Sequence, residues 1–326
     1  MTIPYNVMTT IPTIAMDSGK FNTRLFAGLD SVDIFRTKIE EIQSTTPRNN
    51  TIKTEDGKMF LVGNDASNID HEPSKETLTH KLCIYYGLIR NGFSNRKINL
   101  AIGTPIKYFK DPQTKKSYAD FIRGNGNVEV EYNGVTHNIM INEVLVLPEG
   151  CGILYANDKN YNDLTSRYIG IIDIGGLNAQ GRIYQMGTPL PEFDMDSELG
   201  THTLSQNIAD KLNMEDKNAR YSSAQIESLI ERHYNKGILL TNEKDILAIK
   251  KIEIYLQEHL ASILRMCQAK KWNLEYMDIM FTGGGAQLLR GYIESKGFDV
   301  SDNCIEDNVR GFYDLATNYF ASKGAQ

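Results

Sequence analysis

The chain is short of cysteine, of net positive charge, of long apolar runs and of compositional bias, and each shortage removes a class of function. Its 326 residues include four cysteines, Cys83, Cys151, Cys267 and Cys304. None forms a C-x-x-C pair or stands beside a histidine at metal-ligand spacing, which argues against a zinc site. Isolated thiols in a chain of this size fit a reducing compartment, so the expected location is cytoplasmic. The formal net charge is −6, with acidic and basic residues interspersed. Direct binding of DNA or RNA needs a concentrated basic face and is not expected. An indirect link to DNA through a basic partner stays open. No apolar run approaches the roughly 20 residues that span a bilayer, and neither end reads as an amphipathic anchor, so no membrane association is expected. The opening MTIPYNVMTTIPTIAMDSG lacks a basic segment followed by an apolar block and does not read as a signal peptide. Low-complexity segments and repeats of solenoid period are also missing.

What is present is an ordinary globular mixture, 41% hydrophobic and 23% charged. The length exceeds what one hydrophobic core usually serves, so two domains are expected. A short apolar run, Thr13 to Met16, leads into DSGKFNTR and then LFAG, which reads as a hairpin bending at Gly19. Strand-like runs follow at Ser31 to Ile42 and Lys58 to Gly63. Leu78, Leu82, Tyr85, Tyr86 and Ile89 recur at helical spacing and predict a helix from Thr77 to Arg90. Next come the strand KINLAIGTP, a helix near Ser117 to Arg123, and strands through VEVEYNGV and NIMINEVLVLP. Asn133-Gly134 between two alternating runs signals a hairpin. Pro148 ends the last of these strands, and a helix is expected from Glu149 to Tyr155. After the polar stretch Asn157 to Arg167, read as the domain junction, the opening pattern recurs in YIGIIDIGGLNAQGRIYQMG. Helices are then expected at Thr201 to Leu212, Ser223 to Asn235 and Glu243 to Ala269. A strand, MDIMFT, runs into GGGAQLL and a helix starting near Ala286. A last helix covers about Arg310 to Ala321.

The duplicated strand-Asp-Gly-strand carries chemistry. Glycine in such a turn lets backbone N–H groups approach an anion with no side chain in the way. The aspartate, itself an anion, suits a divalent cation held through water, and that cation carries the phosphate charge. One hairpin of this kind is most often an ordinary β-turn. Two of them, one per half, can clamp a triphosphate from both sides of a cleft. The first offers Asp17, Ser18, Gly19, Lys20, Asn22, Thr23 and Arg24; the second offers Asp173, Gly175, Gly176, Leu177 and Asn178. The third element is FTGGGAQLL. Three glycines at a strand end are entropically costly unless backbone must come close to a ligand at a helix N-terminus. His80, His202 and His233 fall in helical patterns with no evident partner and read as surface or core residues.

In order along the chain, DSGKFNTR, LPEG, DIGG and TGGGAQLL resemble the first phosphate loop, connecting segment, second phosphate loop and adenosine loop of the actin, sugar-kinase and chaperone-ATPase superfamily. Within it, KMFLVGNDAS, INLAIGTPIKYF and the hairpin leading to VLVLPEG are similar to plasmid-segregation actins of the ParM type. The resemblance implies an α/β, actin-like fold, that is, a duplicated ribonuclease-H-like two-domain fold with a nucleotide cleft between domains. Domain I would cover residues 1–156, with the C-terminal helix of about 310–326 packing back on it, and domain II residues 157–309. It implies ATP as the nucleotide, with GTP an open alternative, and Mg2+ held through water by Asp17 and Asp173. The backbones of Ser18 to Lys20 and Gly175 to Asn178 would cradle phosphates. Gly283, Gly284 and Gly285, with Gln287 in the following turn, would meet the adenosine side, and the helix Ser223 to Asn235 would cover the base. Glu149 would position the attacking water, as a glutamate at the matching position does in ParM-like proteins. Asp17, Asp173 and Glu149 are thus the expected catalytic set.

The chain departs from the family pattern twice. Arg24 stands near the end of the first loop where a lysine is usual, and a planar fork is not a point charge. Leu177-Asn178 stand where Thr or Ser follows the glycine pair, so Leu177 offers only its backbone N–H. The function implied is an ATP-dependent filament that segregates plasmid DNA through a DNA-binding adaptor on a centromere, self-association and the adaptor being the expected partners. The alternative on the same fold is a small-molecule kinase, for which no general-base aspartate is evident.

Overall fold

The computed structural model describes residues 11–43, 49–156, 168–215 and 220–324. Two sheets organise them. In the larger, ten strands lie in the order Asp33–Arg36, Asn22–Phe26, Thr13–Ser18, Lys97–Thr104, Val135–Pro148, Asn127–Tyr132, Thr51–Lys53, Met59–Val62, Lys38–Ile42 and Asn68–Ile69. In the smaller, five lie in the order Thr188–Ser197, Ala179–Gln185, Tyr168–Ile174, Asp278–Thr282 and Asp299–Val300. The first five strands of the large sheet and all five of the small one share a single pairing pattern. In each, a three-strand antiparallel meander is followed by two strands parallel to its first strand. Parallel strands are covered on both faces, which demands unbroken apolar runs. Ile14, Ala15 and Met16 supply one such run, and Ile169 to Ile172 the other.

Local chemistry accounts for most element ends. Asn133 and Gly134 both have positive φ, 51° and 81°, the backbone that a two-residue hairpin with the right twist requires. Asp111 caps the helix Pro112–Arg123 by accepting from the N–H of Gln113 and of Thr114, with Pro112 in the first turn. That Asp-Pro pair places the helix start earlier than the expected Ser117. The expected run Ser31 to Ile42 is two strands in different parts of the sheet. The chain turns at Thr37, which is fully buried and donates its N–H to Phe21 O. The helix Ser223–Ile230 opens with a capping box between Ser222 and Gln225, then loosens into a π-turn over Glu231–Asn235. The helix expected from Glu149 begins only at Ile153, because Gly150 adopts φ +80° and residues 149–152 form a turn. The expected domain junction at Asn157 to Arg167 lies outside the described residues.

Among the described residues the buried side chains gather in three apolar clusters. One joins Ile172 and Ile174 of the small sheet to Ile208, Ile252, Leu260 and Leu289 of its helices. A second packs Leu82, Tyr85 and Leu88 of the helix Leu78–Arg90 on the large sheet. The third is built around the last helix, Asp307–Gly324, whose Val309, Phe312 and Ala316 meet Ala15 and Ala101 of the large sheet and Ile169 and Ile171 of the small one. This helix therefore touches both sheets. It can sit so close because Gly311 faces Gly152: a Cβ on Gly311 would fall 2.1 Å from Gly152 O. The obstacle is backbone, so Gly311→Ala is expected to cost at least about 2 kcal/mol and to lower the melting temperature by about 4 °C or more. A thermal melt with unchanged midpoint would contradict that packing.

Candidate functional site

The two glycine hairpins correspond position for position. In the first, Asp17 lies opposite Arg24 and the N–H of Gly19 donates to Asn22 O at 3.0 Å. In the second, Asp173 lies opposite Gln180 and the N–H of Gly175 donates to Asn178 O at 2.8 Å. Each Asp thus ends a buried strand while its glycine turn projects beyond the sheet edge. The strand Asp278–Thr282 runs parallel to the second of these, with Thr282 beside Asp173. The helix Gly283–Ser295 starts immediately after it, so the three glycines are the helix's first turn and not a loop before it. Gly283 has φ +92°, and a Cβ there would fall 2.2 Å from Asp173 Oδ1. Only glycine permits this approach. It brings a helix N-terminus, with N–H groups that have no intrahelical acceptor, to the aspartate and its hairpin.

Glu149 arrives from the opposite direction, just past the long strand Val135–Pro148. Its N–H donates to Thr104 O. Its carboxylate accepts from Gln180 Nε2 through one oxygen and pairs with Lys75 through the other. Gln180 in turn accepts from the Ile106 N–H at 2.9 Å, so a single amide links the second hairpin to Glu149 and to the loop after the strand Lys97–Thr104. Asn308, from the last helix, donates to Asp173 Oδ2 at 3.0 Å and accepts from the Gly150 N–H at 2.9 Å. Glu149, Gly150 and the second hairpin with its Asp173 are therefore tied together by side-chain amides.

The electrostatics of this cluster are those of crowded carboxylates. Burial, and then the charges of Glu149 and Asp17, push the Asp173 carboxyl up to about 7, against the partial relief of its bond from Asn308. Lys75 Nζ lies 3.5 Å from Asp17 Oδ1, and Arg24 Nη1 lies 3.7 Å from Asp17 Oδ2. Burial would lower the Lys75 ammonium, but Glu149 and Asp17 together hold it above the ordinary lysine value. Burial lowers Lys20 to about 8, with Asp70 acting in the opposite direction.

These groups open onto a cleft of about 920 Å³ whose walls come from both sheets, a size that suits a nucleotide. Asp17, Gly19, Lys20, Asn22, Arg24, Glu149, Asp173, Gly175, Gly176, Leu177, Asn178, Gly283, Gly284 and Gly285 all line it. Three expected site residues point elsewhere. The Ser18 hydroxyl is held between His80 Nδ1 at 2.9 Å and Thr23 Oγ1 at 3.0 Å, and Thr23 continues to Thr37 Oγ1 at 2.8 Å. The Gln287 amide oxygen accepts from Arg290 and from the Cys304 thiol, and Gln287 itself does not line the cleft. Ser18 can offer the cleft its backbone, whereas the Thr23 and Gln287 side chains face other parts of the fold.

His80 is not the unpartnered helical histidine that its sequence position suggests. Lys20 Nζ donates to His80 Nε2 at 3.0 Å, so the Nδ1–H must donate to Ser18. The histidine thereby fixes the first hairpin from behind. His202, also expected to be unpartnered, lies in the cleft wall with its ring centroid 5.1 Å from that of Phe21. At the far end of the cleft, Ser223, Ala224 and Glu227 of the capped helix face Leu288 and Ile305. Among the described residues no group of three or more His, Cys, Asp or Glu side chains is arranged to hold a metal. Two facing carboxylates that crowd a third fit a hydrated divalent cation better than a fully protein-ligated one.

Duplicated strand patterns, matched Asp-Gly hairpins and a helix N-terminus facing one interdomain cleft define an actin-like fold. Residues 15–152 match the family described as "Actin like proteins N terminal domain". Solved structures agree over nearly the whole chain. An archaeal actin homolog, Ta0583, is 15% identical with a TM-score of 0.75, covering 95% of this chain and 100% of its own. That homolog is also known in complex with ADP. The Alp12 filament structure is 23% identical with a TM-score of 0.69, covering 96% and 100%. A 15-stranded ParM filament from Clostridium botulinum is 17% identical with a TM-score of 0.67, covering 94% and 99%. At these identities the likeness establishes the fold. No curated protein matches the sequence. Among the described residues no helix is long and apolar enough to cross a membrane.

Proposed function

We propose that the cleft binds ATP with magnesium and that the chain is a cytoplasmic, filament-forming ATPase that segregates plasmid DNA through a DNA-binding adaptor. The observation that carries this reading is the convergence of two Asp-Gly hairpins, one from each sheet, on one cleft with Glu149 between them. The backbone N–H groups of residues 18–20 and 175–178 would hold the phosphates, with Leu177 contributing only its N–H. The first turn of the helix Gly283–Ser295 would meet the adenosine side, and Glu227, Leu288 and Ile305 would enclose the base. Asp17 and Asp173 would hold the magnesium ion through water. Bound there, magnesium neutralises charge on the phosphates.

Glu149 would accept a hydrogen bond from water and aim it at the terminal phosphorus. Water oxygen bonds to phosphorus as the bond to the bridging oxygen breaks, and the bridging oxygen leaves with ADP. Little more than orientation and charge neutralisation is needed from the protein. Self-association finds support in the Alp12 and Clostridium botulinum ParM structures, both of which are filaments. Head-to-tail stacking of one surface on a different one does not close and so gives a polymer. The net charge of −6 leaves DNA contact to a basic adaptor.

Electron microscopy of the purified chain tests this directly. Filaments are expected with Mg·ATP and not with ADP. Single particles at every protein concentration, with phosphate transferred only when small sugars or acids are supplied, would favour the kinase instead.

A further inference from the structure

Residues 70–77, between the strand Asn68–Ile69 and the helix Leu78–Arg90, contribute a side chain that no sequence motif announces. Lys75 is 3% exposed yet lines the cleft. Its Nζ lies 3.5 Å from Asp17 Oδ1 and is paired with Glu149 Oε1. The other cations near the hairpins are placed differently. Lys20 Nζ is engaged by Ser74 O at 2.9 Å and by His80 Nε2 at 3.0 Å. Arg24 reaches Asp17 alone, at 3.7 Å. Among the described residues, Lys75 is the cation that contacts both Asp17 and Glu149.

We propose that Lys75 is a ligand of the terminal phosphate, the group through which the cleft distinguishes a nucleoside triphosphate from a diphosphate. The proposal rests on the reading of the cleft as a nucleotide site. Asp17 stands on the cation side of the reacting group and Glu149 on the water side. Whatever lies between those two carboxylates lies within reach of the nitrogen that touches both. An ammonium has three donor protons, enough to serve two carboxylates and one phosphoryl oxygen. Asp17, Glu149 and Asp173 would by themselves repel that oxygen, so the wall needs a cation at this point. With a diphosphate, the ammonium stays with the carboxylates. With a triphosphate, it gains an anionic partner and loosens its hold on Glu149.

The lysine is also tied to the rest of the first half. Its neighbour Ser74 accepts from Lys20, so the segment is fastened to the first hairpin. On its other side Glu76 accepts from Ser117 at 2.9 Å. The strand Asn68–Ile69 that precedes the segment pairs with Lys38 and Ile39 at the outer margin of the large sheet. A change in what Lys75 touches therefore has a short covalent route from the cleft to that margin.

The test is competition binding. A non-hydrolysable triphosphate and ADP, each with Mg2+, displace a fluorescent ADP from the full chain, its Lys75→Met variant and its Glu149→Gln variant. Losing one charge-assisted bond to phosphate should weaken triphosphate binding by Lys75→Met roughly 10- to 100-fold while ADP changes little. Glu149→Gln, which frees the ammonium of one competing carboxylate, should hold or raise the triphosphate preference, and a preference lost as in Lys75→Met would overturn the proposal. A lysine that only holds the two carboxylates in place would cost both nucleotides the same factor, and that outcome would overturn the proposal, as would an unchanged preference. Should Lys75→Met fail to fold, the Lys75→Met/Glu149→Gln double variant removes one buried charge of each sign and carries the same expectation. A wild-type chain that binds neither nucleotide would sink the cleft reading itself, which separates the two failures.

Discussion

Replacing Glu149 should separate filament growth from filament turnover. In Glu149→Gln, ATP hydrolysis is expected to fall by about 100-fold or more, while Mg·ATP still assembles filaments that now persist. The reasoning is that Glu149 lies in the cleft wall but belongs to neither hairpin, so phosphate binding does not depend on it. Glutamine is the better substitution. It keeps an oxygen for the bond from Gln180 or the contact with Lys75, whereas Glu149→Ala removes both that oxygen and the side chain that fills the site. A Glu149→Gln chain that hydrolyses ATP at the wild-type rate would remove Glu149 from the mechanism. One that hydrolyses none and assembles nothing would place it in binding instead.

Asp173→Asn should exchange function for stability. The carboxyl ionises at about 7 in the fold against 3.8 in a free chain. Because the folded value is raised, the folded state holds this proton more tightly than the unfolded state. The associated stability is fully present below pH 3.8 and is lost as pH rises through 7. Above that, the ionised carboxylate costs on the order of 2–4 kcal/mol. Asparagine cannot ionise and still offers an oxygen to Asn308. Without nucleotide at pH 8, the variant is therefore expected to melt several degrees above wild type, and the gap should close as pH falls towards 4. Excess Mg·ATP should reverse the order, because it stabilises only a chain that binds it. A variant less stable than wild type at pH 8 without nucleotide would mean that Asp173 is held by contacts, not crowded by charges.

The parts of the site that were legible in sequence are those made by neighbours in the chain. Asp17 with Gly19, and Asp173 with Gly175 and Gly176, are set by hairpin chemistry within a few residues, and the structure brings both to one cleft. Asn133-Gly134 forms its turn for the same local reason. The triple glycine was visible as a backbone approach, although its role as the first turn of the helix depends on Asp173, far away in sequence. What could not be read is what the topology joins. Lys75 sits in HEPSKETLTH, a stretch with no local signature, and reaches Asp17 and Glu149 only because the strands Thr13–Ser18 and Val135–Pro148 flank the strand Lys97–Thr104. Gln180 and Asn308 look like ordinary polar residues until strand pairing and helix packing place their amides between the two halves. Thr23 and Gln287 show the converse. Each lies in the right motif, but strand alternation and helix phase turn its side chain away from the cleft.

The most direct measurement of the central claim follows light scattering and phosphate release together after Mg·ATP is added to the purified chain. Scattering should rise at once, phosphate release should lag behind it, and scattering should decay as ATP is consumed; Glu149→Gln should show the rise without the release or the decay. Steady phosphate release with flat scattering at every protein concentration would contradict the account, because the cleft would then hydrolyse ATP without building a filament.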